Sequence, residues 1–408
     1  MRRKVIPGHP FGNANVRQAL QALSEENSLE KFVTMLCAEH VPFSSCLPRA
    51  VRNELQRRSF KMLPSNQITS YPIQEITRLF LNRLSRRASF FRGFGPNVDE
   101  IWRSLDVHLL EEVHKSSKRV DVYAYEDGAF ETFSATPDSW KIYELPIGHW
   151  RTWHSLLQEE RELSPEWAPT LSGVSDSTEK LNRKDRELDL ADQIIVPSDF
   201  VQSTLPERWR SKSSIVRYGC PAVSGLPIPN TQNDGRIKVL FCGSLGQRKG
   251  IGYFFEAVKR MRKHIEVTVV GSVVAPCAAL EEGLREVKWY PSLPHPTLLE
   301  LMRANDVFVF PTLFEGRALV VLEALSQGLP VITTTHSGAS DVIENGRSGF
   351  LIPIRSPDAI VESLELLHND RRLLQHMKEQ AAVVASTTTW KSYRSELVAA
   401  IEKDRISR

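Results

Sequence analysis

In the second half of the chain, short runs in which almost every residue is apolar alternate with longer stretches whose apolar residues recur at helical spacing. The runs are KVLFCG at 238–243, VTVVG at 267–271, VKWY at 287–290, VFVFP at 307–311, PVITTT at 330–335 and GFLIP at 349–353. A strand with one wet face alternates apolar and polar residues, whereas a strand covered on both faces does not. Between the runs, IGYFFEAVKRMRKH at 251–264, the segment Pro294 to Arg303 and the run Arg317 to Gln327 fit amphipathic helices. This alternation predicts a doubly wound α/β domain, a parallel sheet with helices on both faces, of roughly 150 residues.

The first half carries the same signals less densely. KVIPGHP (4–10), KFVTMLCA (31–38), RVDVYAYED (119–127), WKIYELP (140–146) and ADQIIVPS (191–198) are expected strands, and FGNANVRQALQAL (11–23) a glycine-containing turn and helix. The region Val51 to Glu112 reads as mostly helical and basic, and 170–186 as including a polar loop. The Pro-, Gly- and Asn-rich stretch 217–236 reads as a linker, so two domains are expected, 1–220 and 221–386. A chain of 408 residues is long enough for two cores.

Charge narrows the classes of partner. A formal net charge of +3 is too small to argue for nucleic acid. It is unevenly spread: Arg49 to Arg92 holds ten Lys/Arg against two Asp/Glu. No apolar run approaches the length of a membrane span. The N-terminal residues lack the apolar core of a secretory signal. Five scattered cysteines form no metal or disulfide pattern, so a cytoplasmic setting is expected and no metal ligands are assigned.

In open parallel sheets ligands settle beyond the C-terminal strand ends, so the loops after the apolar runs are where chemistry is expected. Glu315 follows one such run, and Glu323 lies eight positions on within the expected helix. The spacing itself carries little, because Glu179 and Glu187 repeat it in a polar stretch. Context carries more. The helix expected from about Arg317 would turn its unsatisfied N–H groups toward the strand ends, where they stabilise an anion. Gly316 and Ala318 are small enough for a ligand to approach. Glu323, among Val320, Leu322 and Leu325, needs donors when buried; ligand hydroxyls, a backbone group or an arginine would each serve. The adjacent cations Arg248 and Lys249 sit between strand and helix, as a phosphate requires, or are surface charges on a solvated loop. Ser337 and Gly338 follow a further strand. Neither a complete dinucleotide-binding glycine motif nor a Walker A motif is present.

Taken in order, VLFCGSLGQRKG, FEGRALVVLEALSQGLPVITT and SGASDVIENGRSGFLIP resemble family 4 retaining glycosyltransferases of the GT-B fold, with close agreement over about 238–385. The resemblance implies two Rossmann-like domains facing across a cleft, with 387–408 returning to complete the first. It also implies a nucleotide-diphosphate-sugar donor, a glycan, lipid-linked or small-molecule hydroxyl acceptor, and no cofactor or metal. By resemblance, Glu315 contacts the donor sugar, Glu323 the ribose, and Lys249 the diphosphate. Ser244 stands where an arginine is usual, with Arg248 four residues on as its replacement. The backbone at Ala318 and Leu319 matches a phosphate-contacting segment that usually has glycine at 318. Asp341 stands where glutamate is frequent. His149 falls where many members carry a histidine near the transferred sugar; without the resemblance it is a histidine in a strand-end loop. Gly12 and Asn13 fall in the acceptor or phosphate loop.

Two other activities fit the same cleft: a sugar-nucleotide epimerase, and a non-catalytic partner subunit. In ITRLFLNRLSRRASFF, Ile76, Leu79, Phe80, Leu84, Ala88 and Phe91 share a helical face, which either packs on its own domain or rests peripherally on an anionic membrane.

Overall fold

The computed structural model describes residues 3–41, 49–85, 95–171, 176–223, 225 and 235–406. Its N-terminal half contains β1 (Lys4–Pro7), β2 (Phe32–Thr34), β3 (Ile68–Ser70), β4 (Val120–Tyr125), β5 (Lys141–Glu144), β6 (Gln193–Val196) and β7 (Ser213–Ile215). Five of these form a parallel sheet in the order β1-β4-β5-β6-β7. β2 and β3 pair with each other, and single bridges from Val5 to Leu29 and Gly8 to Val33 hold them beside β1. The C-terminal half contains β8 (Ile237–Cys242), β9 (Ile265–Val270), β10 (Lys288–Tyr290), β11 (Val307–Phe310), β12 (Val331–Thr334) and β13 (Gly349–Ile352). They form a second parallel sheet, β10-β9-β8-β11-β12-β13. In register, Val239 faces Val267 and Phe308 faces Val331.

The apolar runs are strands for the expected reason: all four residues of β11 and of β12 are buried. Burying each large apolar side chain contributes roughly 1.5–3 kcal/mol, so central strands of this composition are driven between the helix layers. Two strands fall outside the expected pattern. β3 interrupts the region read as mostly helical, and β7 is a half-buried edge strand containing two serines.

The final helix, Trp390–Ile406, packs on the first, Ala14–Glu25, where Arg394 reaches Gln18 at 2.6 Å and Glu25 at 3.0 Å. Loops at the C-terminal strand ends of the two sheets meet. Ser198, after β6, donates to the carbonyl of Gly316, after β11, at 2.6 Å, and Trp153 stacks on Phe314 with centroids 5.0 Å apart.

Candidate active site

Glu315, Arg248 and Lys249 converge where those loops meet. The turn Gln247–Lys249 follows β8 and is closed by Gly250 at φ +70°, where a Cβ would lie 2.0 Å from the carbonyl oxygen of Pro311. Only glycine allows the loops after β8 and β11 to touch there. Arg248 Nη1 donates to the Phe314 carbonyl at 2.8 Å and to Glu315 Oε1 at 3.0 Å. Lys249 Nζ is in contact with the same carboxylate oxygen and lies 5.4 Å from the centroid of the Phe310 ring. An arginine and a lysine thus share one carboxylate oxygen in a largely buried site. Burial pushes the Arg248 guanidinium down to about 10. Burial and then Arg248 push the Lys249 ammonium down to about 6, with Cys242 opposing.

The helix after Glu315 begins later than its pattern suggests. It spans Leu319–Ser326, because the Ala318 N–H donates to the Ser337 carbonyl at 2.9 Å and Ala318 becomes the cap. Glu315 therefore precedes the helix, and helical periodicity does not relate it to Glu323. The first-turn amides of Leu319 and Val320 lie beyond the reach of intrahelical acceptors. Gly316 is small for a reason other than ligand access: a Cβ there would lie 1.7 Å from the carbonyl oxygen of Pro146, at the end of β5.

Glu323 is one-fifth exposed and accepts a hydrogen bond from His295 Nε2 at 3.0 Å. Its partner is thus a surface histidine. Burial raises its pKa and His295 partly offsets this. Ser244 is exposed and lends its carbonyl to the Gly246 N–H at 3.0 Å. The Ser337 hydroxyl is buried and donates to Thr334, so it offers nothing to a ligand.

His149 follows β5 in a loop that packs on Phe314, the residue before Glu315. The His149 side chain is fully buried against Trp209 and caps the helix Trp150–Leu163, with Nδ1 accepting from the Arg151 N–H at 3.4 Å and Nε2 lying 3.1 Å from Asp185. Both ring nitrogens are engaged, and burial pushes the imidazole down to about 4. Gly12 and Asn13 lie at the start of the helix Ala14–Glu25 beside a groove of about 580 Å³ that Arg17, Arg57 and Arg58 also line. A larger groove, about 770 Å³, runs between the halves past Arg151, Phe200, Thr204 and His336.

Sequence reasoning passed over Arg317. Its fully buried guanidinium binds both Asp341 oxygens, the carbonyl of Gly338 at 3.0 Å and that of Tyr218 at 3.0 Å. The signal was an arginine in an otherwise apolar stretch, two residues from Glu315. Asp341 thus anchors Arg317. Among the described residues, no group of three or more His, Cys, Asp or Glu side chains could hold a metal ion.

Comparison with solved structures defines the fold as GT-B. Sucrose-phosphate synthase from Thermosynechococcus elongatus superposes over 100% of both chains with a TM-score of 0.64 at 16% identity. Anabaena HepE in complex with UDP and glucose covers 98% of this chain and 100% of its own, with a TM-score of 0.62 at 14% identity. Residues 227–384 match the family model described as Glycosyl transferases group 1. Over 164 residues the chain is 32% identical to a D-inositol 3-phosphate glycosyltransferase of Paenarthrobacter aurescens, covering 37% of this chain and 40% of the relative. A UDP-Gal:alpha-D-GlcNAc-diphosphoundecaprenol alpha-1,3-galactosyltransferase of Escherichia coli is 34% identical over 94 residues, 23% of each chain. The match spans about two fifths of the length of the D-inositol 3-phosphate glycosyltransferases.

Proposed function

We propose that the protein is a retaining glycosyltransferase of the family 4 type, moving a hexose from a nucleotide-diphosphate sugar to an acceptor hydroxyl. The observation that carries this reading is the convergence of Arg248 and Lys249 on Glu315 beside a helix N-terminus. Breaking the bond from the anomeric carbon to the diphosphate places growing negative charge on the leaving group. Arg248, Lys249 and the amides of Leu319 and Val320 stabilise that charge with fixed donors in a water-poor site. In this reading the two side-chain cations take the place of a metal, and Arg248 replaces the arginine missing at Ser244. Glu315 turns from the cations to the donor sugar's hydroxyls, and Glu323 holds the ribose. The acceptor attacks from the face the diphosphate leaves, and a departing phosphate oxygen takes its proton. HepE, solved with UDP and glucose, supports a nucleotide-sugar donor.

Gly12, Asn13 and the neighbouring arginines form the acceptor side. Ile73, Ile76 and Phe80 lie exposed along one face of the helix Ile73–Ser85, while Ala88 and Phe91 fall outside the described residues. With the basic composition of 49–92, this face suits peripheral contact with an anionic cytoplasmic membrane surface and a lipid-linked acceptor. Among the described residues no helix is long and apolar enough to cross a membrane. Co-sedimentation with phosphatidylglycerol vesicles, reduced in Ile76→Asp/Phe80→Asp, tests that contact; equal sedimentation contradicts it.

The test of the reaction is incubation with a panel of nucleotide sugars and acceptors, followed by anomeric-proton NMR. Transfer with the donor's anomeric configuration preserved supports the reading. Conversion of a nucleotide sugar without acceptor indicates an epimerase, and no binding of any nucleotide sugar indicates a non-catalytic partner.

A further inference from the structure

The turn that carries Arg248 and Lys249 is held from the opposite half of the chain, by a residue outside the proposed chemistry. Glu160 lies in the helix Trp150–Leu163 and is completely buried. A carboxylate is placed there only at a cost unless its oxygens are satisfied, and all its partners come from the C-terminal half. Oε1 accepts from Gln247 Nε2 at 2.7 Å and from the Tyr253 hydroxyl at 2.8 Å, and Oε2 accepts from Arg355 Nε at 2.8 Å. Arg355 adopts φ +60° and also reaches Glu159 at 2.8 Å and the Leu156 carbonyl at 3.4 Å on the same helix.

Gln247 is the residue that transmits this contact. It is fully buried and immediately precedes Arg248 in the same short turn. Its Nε2 is bound by Glu160, its Oε1 accepts from the Gly252 N–H at 2.9 Å, and its backbone N–H donates to Thr170 Oγ1 at 2.9 Å. Thr170 and Trp167 follow the Glu160 helix, and Trp167 covers Gly252 so closely that a Cβ there would lie 2.7 Å from the indole nitrogen. The turn is thus fixed from the N-terminal half, while its two cations face Glu315. Its own half holds the turn further along, where the Arg248 carbonyl accepts from the Leu313 N–H at 2.9 Å and from Thr312 Oγ1 at 3.0 Å, so the Gln247 end is the part set from the opposite half.

We infer that Glu160 is a positioning residue for the donor site: through Gln247 it sets the turn bearing Arg248 and Lys249, so the diphosphate site is complete only when the two halves are docked. The inference rests on the reading of Arg248 and Lys249 as diphosphate ligands. Docking of the Glu160 helix would then couple closure of the cleft to assembly of the charge-stabilising pair, with water expelled in the same movement.

The test compares wild type with Glu160→Ala, and with Gln247→Met, which breaks the link while leaving the Arg355 pair intact. Hydrogen exchange without ligand reads the turn, and calorimetry with UDP, GDP and ADP reads the site. Both variants are expected to lose protection at the Gln247 and Gly252 amides and to bind the preferred nucleoside diphosphate at least fivefold more weakly. Glu160→Gln, the same shape, is expected to recover part of both. Unchanged exchange in the two variants overturns the positioning role. Faster exchange with unchanged affinity overturns it as well, since the turn then does not govern the diphosphate. If wild type binds none of the three, the diphosphate reading fails, and exchange alone decides whether Glu160 sets the turn.

Discussion

Lys249 and Glu315, 66 positions apart in the chain, are in direct contact at the meeting of the loops after β8 and β11, with Arg248 on the same carboxylate oxygen at 3.0 Å. The carboxylate occupies the cations that a diphosphate would need. Glu315→Gln therefore has an unusual expected outcome. It should bind free nucleoside diphosphate at least as tightly as wild type, yet lose transfer by about 100-fold or more, because the contact to the sugar is made in the transition state. Calorimetry and a transfer assay on one preparation check both halves.

Lys249 also predicts a proton signature. With its ammonium pushed down to about 6, most of the population is neutral at pH 7.5 before a ligand arrives. An arriving diphosphate raises that pKa, so binding takes up protons. Titrations in two buffers of different ionisation enthalpy should show net uptake approaching one proton in wild type. Lys249→Arg, charged throughout, should show none.

Glu323 separates the nucleoside from the phosphates. Its removal in Glu323→Ala should weaken UDP or its counterpart by about tenfold, the order of one hydrogen bond to a charged group. Inorganic pyrophosphate, which has no ribose, should bind as it does to wild type. Equal losses for both ligands would remove the ribose assignment.

Buried neutral histidines set the acid limit of stability. His9 is buried after β1, with Nδ1 accepting from the Phe11 N–H at 3.0 Å, and burial pushes it down to about 3; His149 is pushed down to about 4. Both sit below the unfolded value of about 6.5. Between these limits the unfolded chain binds more protons, so stability is present above pH 6.5 and lost as pH falls toward 4. Each histidine adds a slope of up to about 1.4 kcal/mol per pH unit. Urea unfolding across this range should lose one proton's worth of slope in His149→Gln.

Arg317 should matter to the fold more than to chemistry. It is fully buried, and Arg317→Ala would leave Asp341 and two carbonyls without it, a loss of about 3–5 kcal/mol. Denaturant midpoints of wild type and variant measure the difference directly.

Which parts of this were readable beforehand follows from the range of the interactions. Continuous burial of β11 and β12 writes itself into local composition, so VFVF and VITT were legible as strands. β3 and β7 span three residues each, too few for a period to show. Glu315 and the Arg248–Lys249 pair could be placed at strand ends, but their shared carboxylate oxygen depends on Gly250 bringing two loops together. Likewise, nothing near Glu323 in the chain pointed to His295, 28 positions away. For His149, position at a strand end says nothing about where the ring points; Asp185 and Trp209, which hold it inside, come from distant helices.

Titration of wild type and Lys249→Ala with UDP, GDP and ADP tests the central claim most directly. Wild type is expected to bind one of the three, and Lys249→Ala to bind it at least tenfold more weakly with its unfolding midpoint little changed. Equal affinity in the two proteins, or no binding of any of the three by wild type, would contradict it.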